Sequence, residues 1–519
     1  MSLSDANRRR PTSLAARRCW AWLAEHRTLT AAVISGWVHF VAIVVCGTLW
    51  IELPVIDAPR QLAASFAPRE LVEPERVVPL KIEPRPELAR VESVATQLDI
   101  PAAAEVDTPR FALGGGSPRV TTPVELGPAE AATHAGAVGA EGGLAGLRSP
   151  GGRRSAGEAR GATSASEAAV DRALEWFVRH QRSDGAWSLE YRSKQCKAEC
   201  DHAGTLATGR VAATSLALLP FLGAGHTHRQ GNYRAQVARG LKFLERVVES
   251  EGHAAEPNGG GMYAHALATI VLCEAYAMTG DRALMRQAQR AVHFIAASQD
   301  PLGGGWRYVP GQPGDTSAVG WQLMALKSGH MSYIRVSPDT VAHASRFLDS
   351  VQLDGGAEYG YLPGYLESRG STTAIGLLSR MLLGWKRDES GLVEGVRRLG
   401  MTGPSPNDYY YNYYATQVMH HYEGPAWAQW NAKLRDQLVT AQSKRGHSAG
   451  SWYVEGGFDG HQSIGGRLYC TSLAAMTLEV YYRYLPLYQA VKQEAAEAER
   501  REQKAAAAND KPAQDKSTK

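Results

Sequence analysis

The sequence predicts an all-α protein: an α/α toroid of about six helix pairs, preceded by one transmembrane helix and a disordered linker. Three observations lead to this prediction. One apolar stretch without Asp, Glu, Lys or Arg lies near the N-terminus. A long segment rich in Pro, Ala, Gly and Glu follows it. The rest of the chain repeats an amphipathic segment, a glycine turn and an evenly apolar segment.

The chain composition narrows the class of protein. Its 519 residues allow one large domain with extensions. A formal net charge of +4 gives no strong argument for nucleic acid, and no such partner is expected. The six cysteines are scattered, and only Cys196 and Cys200 lie close together, so the chain is not a disulfide-rich scaffold.

The apolar stretch, residues 29–51, is long enough to cross a hydrocarbon core of about 30 Å. Arginines are frequent in residues 1–28, and the first charged residues after the stretch are acidic. The positive-inside rule therefore predicts a single-pass inner-membrane protein with a cytoplasmic N-terminus and a periplasmic domain. The alternative is a cleaved signal peptide, whose apolar core would usually be shorter, about 7–15 residues.

His39 lies in the middle of this span, and Ser35 precedes it by one helical turn on the same face. An ionisable residue inside a membrane indicates a function by default. The Ser35-x-x-x-His39 pattern, the exit sequence IELP and the Pro/Glu-rich stretch after it resemble the N-terminal anchor of TonB-type energy transducers. That resemblance implies docking on a proton-driven motor complex. The alternative is a neutral histidine tolerated in a single helix and bonded to Ser35.

Residues 52–165 should form a disordered linker, because they contain too little apolar surface to offset the loss of chain entropy. Its first half, to about residue 101, is expected to be an extended spacer and its second half a flexible coil. The charged tail, 487–519, is expected to be helical at first and then to fray into solvent.

The toroid is predicted for residues 166–486, where a Gln–Gly–Trp unit recurs. Good copies run from Gln181 to Trp187, from Gln299 to Trp306 and from Gln442 to Trp452, with a looser copy from Gln352 to Tyr359. An evenly apolar run follows each turn and should form the buried helix of its pair. Six such pairs can close into a ring with these helices on the inside.

The repeated unit is expected to be structural. A Gln amide at a helix end can bond to the start of the next helix or to the turn, Trp packs beside it, and Gly allows the close approach.

The pattern also resembles the QW repeats of squalene–hopene cyclases, so residues 166–486 look like the prenyltransferase/squalene-cyclase superfamily. In that family the middle Asp of an Asp-x-Asp-Asp motif protonates an alkene. At the matching place Asp315 and Thr316 fit, but the proton donor's position is Gly314. Asp315 is expected to be a helix N-cap.

A metal site is the second candidate feature. Protein prenyltransferases share the toroid and bind zinc through Asp, Cys and His. The spacing of Asp459, His461 and Cys470 does not match that site. Cys196, Cys200 and His202 form a better candidate for zinc, although no fourth ligand is evident. A disulfide between Cys196 and Cys200, or free thiols, are the alternatives.

The mouth of the ring is the expected ligand site, because aromatic and polar residues lie at the turns and inner-helix starts. Candidate catalytic residues are Asp315, Asp408 and Glu358. Candidate ligand-binding residues are Trp306, Tyr308, Trp321, Tyr361, Tyr411 and Trp452.

Because the proton donor is missing, we expect a non-catalytic or degenerate squalene-cyclase-like module that binds an isoprenoid, another lipid or a macromolecular partner. An active divergent terpenoid cyclase or prenyl-handling enzyme is the alternative. A carbohydrate-active α/α-barrel enzyme that uses Glu358 and Asp408 as its carboxylate pair is a further alternative. No cofactor is required by the sequence, apart from the candidate zinc.

Overall fold

The computed structural model describes residues 144–191, 196, 199–256, 260–455, 461–484 and 486–488. The predicted span 29–51, with Ser35 and His39, lies outside the described residues, as do the linker up to residue 143 and the tail after residue 488. No helix within the described ranges is both long and apolar enough to cross a membrane.

Helices dominate the described part of the chain. In chain order they are α1 (Leu144–Leu147), α2 (Pro150–Arg160), α3 (Ser164–His180), α4 (Arg210–Gly223), α5 (Arg234–Glu251), α6 (Gly261–Thr279), α7 (Arg282–Ala297), α8 (Thr316–Met331), α9 (Pro338–Val351), α10 (Gly370–Leu382), α11 (Ser390–Thr402), α12 (Tyr409–Tyr422), α13 (Gly424–Ala441), α14 (His461–Leu478) and α15 (Val480–Arg483). Two short antiparallel strands, β1 (Gln352–Leu353) and β2 (Glu358–Tyr359), flank a single 3₁₀ turn (Asp354–Gly356) between α9 and α10.

Six helices form a closed inner ring. Helix α4 packs against α6, and contacts continue from α6 to α8, α10, α12 and α14, until α14 packs against α4 again. The helices α3, α5, α7, α9, α11 and α13 lie outside them, each packed against inner helices. This closed double layer is consistent with the predicted α/α toroid.

The sequence pattern decides which helix lies inside. In α6 almost every residue from Gly261 to Met278 is buried, as an evenly apolar helix requires. In α7 the buried residues form one stripe, from Leu284 through Ala288 and Ala291 to Ile295. That spacing of three or four residues places them on a single face, and the opposite face meets solvent.

The repeated glutamines join neighbouring outer helices. Gln181 Nε2 donates to Gly185 O in its own turn, at 2.8 Å, and to Gln236 O in the first turn of α5, at 2.9 Å. Gln299 makes the same pair of bonds to Gly304 O and Thr340 O. The amide thus bonds both to its own turn and to the start of the next outer helix, the two partners expected from the sequence, through carbonyl oxygens.

The tryptophans of the same units lie under these turns. Trp187 Nε1 donates to Phe177 O at 2.8 Å, Trp306 Nε1 to Ile295 O at 2.8 Å, and Trp452 Nε1 to Leu438 O at 2.7 Å. The turn between Gln181 and Trp187 needs glycine, because Gly185 has φ +91 and a Cβ there would lie 2.5 Å from Arg239 O. The Gln–Gly–Trp unit is therefore a packing device.

The looser copy of the unit, from Gln352 to Tyr359, makes different hydrogen bonds from the copies that contain tryptophan. Gln352 lies in β1, opposite Tyr359 of β2, and its Oε1 accepts from Arg380 Nη2 at 2.9 Å. Arg380 comes from the inner helix α10. This copy therefore links the turn to the inner ring through a buried guanidinium.

The end of the predicted linker is helical, which corrects the expectation of flexible coil up to residue 165. Helix α2 begins after Ser149, whose side chain caps Gly152 N, with Pro150 at the first helical position. Arg148, just before it, is 0% exposed. Helices α1 and α2 belong to this segment. Together with α15 they close the end of the ring where α6 terminates.

A buried ionic cluster holds that closed end together. Arg148 Nη1 lies 2.8 Å from Glu274 Oε2, and Arg483 Nη2 lies 3.0 Å from the same oxygen. Arg483 Nη1 lies 3.1 Å from Glu479 Oε2. All four side chains are at most 2% exposed. Arg148 Nη2 also donates to Arg483 O at 3.0 Å, so the linker segment is tied to the last helix.

Candidate functional sites

The end of the ring opposite α1, α2 and α15 carries two loops, at the starts of α8 and α10, and we call it the open end. The first loop, 298–311, is closed on itself because Gly311 N donates to Ser298 O at 2.9 Å. The second, 360–368, is closed by the pairing of Gly360 with Ser368. The second loop is joined to the start of α8, where Thr316 N donates to Tyr361 O at 3.0 Å.

Asp315 lies at the base of these loops as the N-cap of α8. Its Oδ1 accepts from Ala318 N at 2.8 Å and from Tyr263 Oη at 3.2 Å. Its Oδ2 lies 3.6 Å from Arg307 Nε, beyond hydrogen-bond distance. The cap expected from the sequence is therefore present, with a tyrosine and an arginine added to it.

Burial sets the acidity of this group. Desolvation raises the pKa of Asp315, although the Ala318 amide, Tyr263 and Arg307 each lower it. Burial also raises the pKa of Tyr263 and that of Tyr361, and the nearby Asp315 carboxylate adds to both shifts. These hydroxyls remain proton donors at neutral pH.

Gly314 stands where the resemblance to cyclases would require an acid. A Cβ at this position would lie 2.6 Å from Gly305 Cα and 2.8 Å from Phe347 Cε2. The first contact is with backbone, so any side chain at this position would require the turn to move. The packing of the turn therefore excludes a proton donor here.

Aromatic side chains pack against one another inside the ring. Trp321 stacks on Tyr413 with ring centroids 5.6 Å apart, and its edge meets Tyr414 at 5.5 Å. Tyr410 packs against Tyr414 at 5.1 Å. All four are buried. They fill the space between α8 and α12.

A small cavity lies towards the closed end, with a volume of about 40 Å³. Its lining includes Lys327 and Met331 of α8 and Gln417 and His421 of α12. Because one water needs roughly 10–15 Å³ of such volume, the cavity suits a few waters and is too small for an isoprenoid.

The six ligand-binding candidates divide by exposure. Trp306, Trp321, Tyr411 and Trp452 are at most 4% exposed, and Tyr411 Oη donates to Gly403 O within the fold. Tyr308 and Tyr361 are half-buried on the two loops, with their hydroxyls 3.5 Å apart. Only these two offer surface to a ligand at the open end.

Large apolar side chains on the same two loops are exposed, a feature that the sequence reasoning missed. Leu302 is 92% and Val309 57% exposed on the first loop, and Tyr365 is 62% and Leu366 85% exposed on the second. We call these four residues the apolar rim. Their surroundings in the sequence are ordinary turn residues, so no periodic signal marks them.

The two other carboxylate candidates hold structure. Glu358 accepts from Ser368 Oγ at 2.5 Å and from Arg398 Nη1 at 2.7 Å, and these hydrogen bonds lower its pKa. Asp408 caps α12 by accepting from Tyr411 N at 2.9 Å. A general acid for glycoside cleavage needs a raised pKa, so Glu358 does not have the environment of one.

A Cys–His cluster is the second candidate site. Its members are His180 at the end of α3, Cys196 and Cys200 in the following loop, and His447 after α13. Their four ligand atoms all lie within 4.8 Å of one another. Neither cysteine is in a disulfide in the structure, and both, with His180, are at most 1% exposed. Desolvation by burial raises the pKa of Cys200 to about 12 and lowers that of His180 to about 3.

His202, which the sequence paired with these cysteines, is not part of the cluster. It has φ +60, stacks on Tyr453 at 3.9 Å, and its Nδ1 lies 3.2 Å from Arg467 Nη2. Cys470 is buried in the inner ring, and Asp459 lies outside the described residues. The two histidines that replace His202 come from opposite ends of the toroid sequence, so spacing alone could not find them.

No protein-family model matches the sequence, and no curated protein does. Among solved structures, the chain is similar to the GH76A α-1,6-mannanase of Salegentibacter sp. HEL1_6, at 9% identity and a TM-score of 0.44 over 61% of this chain and 99% of that one. It is also similar to the type II terpene cyclase MstE from Scytonema, at 12% identity and a TM-score of 0.41 over 62% and 98%. At these values neither protein's activity is carried over to this chain.

Proposed function

We propose that this chain is a membrane-anchored, extracytoplasmic toroid that binds an apolar, isoprenoid-like ligand at its open end without protonating it. The observation that carries the proposal is the apolar rim: four large apolar side chains exposed on two loops in contact. Large exposed apolar groups carried on neighbouring loops are a feature of many binding sites.

The contacts around the rim support a defined surface. Tyr308 and Tyr361 bridge the two loops through their hydroxyls, and each loop is closed by its own backbone bonds. The rim is thus held by a fixed scaffold and needs little ordering when a ligand binds. A preorganised surface loses less entropy on binding.

The packing below the rim supports binding without chemistry. Trp321 and the tyrosines of α12 fill the ring between α8 and α12, so a long apolar chain has no space there. The position of the cyclase proton donor is a glycine that cannot accept a side chain. We infer that the ligand remains at the rim and leaves unchanged.

The anchor completes the proposal. Residues 29–51 would hold the chain in the inner membrane, and the Pro-rich linker would carry the toroid away from it. Ser35 and His39 would couple the anchor to a proton-driven motor. The alternative is that the anchor serves only as a tether. Unchanged partner recovery by a His39→Ala variant would exclude the motor.

An enzyme that uses Asp315 as its acid is the second candidate. It is favoured by one observation, the raised pKa of a buried carboxyl surrounded by tyrosines at the open end. Perturbed acids of this kind are frequent at catalytic sites. A substitution that keeps the cap but removes the acid separates the two functions, because Asn also caps helices.

The rim is tested by photo-cross-linking of the purified full-length chain with a diazirine derivative of farnesol. We expect labelled peptides from loops 298–311 and 360–368. In a Val309→Ser/Leu366→Ser variant the label should fall at least about tenfold, because burying one such side chain contributes roughly 1.5–3 kcal/mol. The matched control is Val393→Ser/Met401→Ser, which alters two exposed apolar residues of α11 and should leave the label unchanged.

Label confined to residues 29–51, or equally reduced in both variants, would refute binding at the rim. A protein partner is the other outcome to be distinguished. If a photo-reactive amino acid at position 366 captures one defined protein while farnesol leaves the rim unlabelled, the rim is a protein-docking surface.

A further inference from the structure

The Cys–His cluster lies where the ring closes. His180 ends α3, the first outer helix, and His447 lies just beyond α13, the last one. These two helices pack against each other, and α14 packs against α3. The cluster therefore joins the two ends of the toroid sequence.

We propose that His180, Cys196, Cys200 and His447 form a structural zinc site that holds the closure of the ring. The set contains two sulfur and two imidazole ligands, which is a common composition of tetrahedral structural zinc sites. Its place in the fold is independent of the apolar rim, so this proposal does not rest on the proposed function.

The distances fit a tetrahedron. Zn–S bonds of about 2.3 Å and Zn–N bonds of about 2.0–2.1 Å at tetrahedral angles separate S and N by roughly 3.5 Å. In the structure Cys200 Sγ lies 3.4 Å from His180 Nε2 and 3.2 Å from His447 Nδ1. Cys196 Sγ lies 3.6 Å from His447 Nδ1. All four ligand atoms lie within 4.8 Å of one another, so small side-chain movements would bring them around one zinc ion.

A hydrogen bond orients one of the ligands. His180 Nδ1 lies 2.7 Å from Trp176 O, so Nδ1 carries the proton and donates it to that carbonyl. Nε2 is then left with a lone pair that faces Cys200. Fixing a ligand histidine through its other ring nitrogen is typical of metal sites. The imidazole also stacks on the Trp176 ring at 4.0 Å, which restrains its plane.

Charge and burial fit the ion as well. When Zn²⁺ binds, each thiol loses its proton to solvent, and two thiolates balance the charge of the ion. A neutral complex has a smaller desolvation penalty in a buried site than a charged one. Cys196, Cys200 and His180 are at most 1% exposed, so the ion would be largely shielded from solvent.

The surrounding loop shows what the ion would stabilise. Thr205 N donates to Ile464 O at 3.0 Å, and Arg467 N to His202 O at 2.8 Å. The loop between α3 and α4 therefore already lies against α14. Zinc would fix the part of that loop around Cys196 and Cys200 to the chain beyond α13, and so restrain the seam from opening.

The test is the metal content of the purified full-length chain, measured by inductively coupled plasma mass spectrometry without chelators in the buffers. We expect ~1 zinc per chain, because the site has four protein ligands and no open position. Cys200→Ser and His447→Ala should each lower the bound zinc at least about tenfold, since loss of a ligand weakens the site more than loss of a supporting bond does.

Two controls keep the test independent of folding. The His202→Ala variant removes the histidine that the sequence indicated and should retain its bound zinc. The His293→Ala variant removes a histidine on the exposed face of α7 and should also retain it. Cobalt is then added to the wild-type chain after the zinc has been removed. A tetrahedral site with thiolate ligands gives visible absorption bands that a disordered chain with scattered cysteines does not.

Three results would overturn the proposal. The first is a chain that holds no zinc, takes up none when Zn²⁺ is added, and titrates as free thiols. The second is an intact mass two hydrogens lighter than expected, with a bond mapped between Cys196 and Cys200. The third is equal loss of zinc in His202→Ala and His447→Ala, which would assign a different set of ligands.

Discussion

The two glutamates of the buried ionic cluster at the closed end of the ring, Glu274 and Glu479, have different environments. Glu274 lies between two guanidinium groups, and these charges lower its pKa despite complete burial. Glu479 has Arg483 at 3.1 Å, yet desolvation dominates and raises its pKa to about 8. Folding thus favours the ionised form of Glu274 and the protonated form of Glu479.

The first prediction concerns the ionised carboxyl. Glu274→Gln should lower the free energy of unfolding by about 3–5 kcal/mol, because Arg148 and Arg483 would be buried without a countercharge. Glu479→Gln should cost much less at pH 7, since an amide resembles the protonated acid. Chemical denaturation of the two variants at the same pH checks this, and equal losses would contradict the assignment.

The second prediction is a pH dependence. The pKa of Glu479 is raised from 4.5 to about 8 on folding, so between these values the folded protein binds the additional proton. Its contribution to stability is therefore complete below about pH 4.5 and is lost as the pH rises to about 8. Compared with Glu479→Gln, the wild type should lose stability over this window. A constant difference between the two proteins from pH 5 to pH 8 would exclude it.

The third prediction concerns the cap of α8. Asp315→Asn keeps an acceptor for Ala318 N and should change stability by less than about 1 kcal/mol, whereas Asp315→Ala should cost about 0.5–2 kcal/mol. Thermal unfolding of both variants provides the comparison. If Asn destabilises as much as Ala, the carboxylate charge beside Arg307 matters more than the cap.

At the residue scale the sequence predicts roles that depend on near neighbours. Asp315 before Thr316 at a helix start is such a role, and the structure has it. His180 and His447 are different, because only the closure of the ring brings them together. The same applies to Arg148, which the sequence assigns to a linker although it lies against Glu274 of α6.

At the element scale, the glutamine that closes the ring gives the fourth prediction. Gln442 Nε2 donates to Gly450 O at 2.9 Å and to Ala169 O of α3 at 2.8 Å. Gln442→Ala should lower stability by about 2–3 kcal/mol, because two buried carbonyls lose their donor. Gln429→Ala on the exposed face of α13 is the control. Similar small losses in both variants would show that the turn holds without the amide.

Helix periodicity was sufficient to predict the paired helices but not α2. The sequence PGGRRSAGEAR has four residues of low helix propensity, so composition favours coil. The helix forms because Ser149 caps it and because Arg148 and Ala156 are buried against the ring. Ser149 followed by Pro150 is a local start signal that the compositional reading passed over.

At the scale of the whole molecule, the two ends of the ring are unlike. One end is closed by α1, α2 and α15 around a buried ionic cluster. The other carries the apolar rim above Asp315. The sequence predicts a ring but not this polarity, because exposure of Leu302 and Leu366 depends on loop conformation rather than on period.

We propose that the toroid binds an apolar ligand and leaves it unchanged. The most direct test is mass spectrometry of squalene recovered from the full-length chain after incubation, with Asp315→Asn and Val309→Ser/Leu366→Ser in parallel. We predict unaltered squalene, retained by the wild type and by Asp315→Asn and lost from the rim variant. A cyclised product that forms in the wild type and disappears in Asp315→Asn would contradict the account and establish an enzyme.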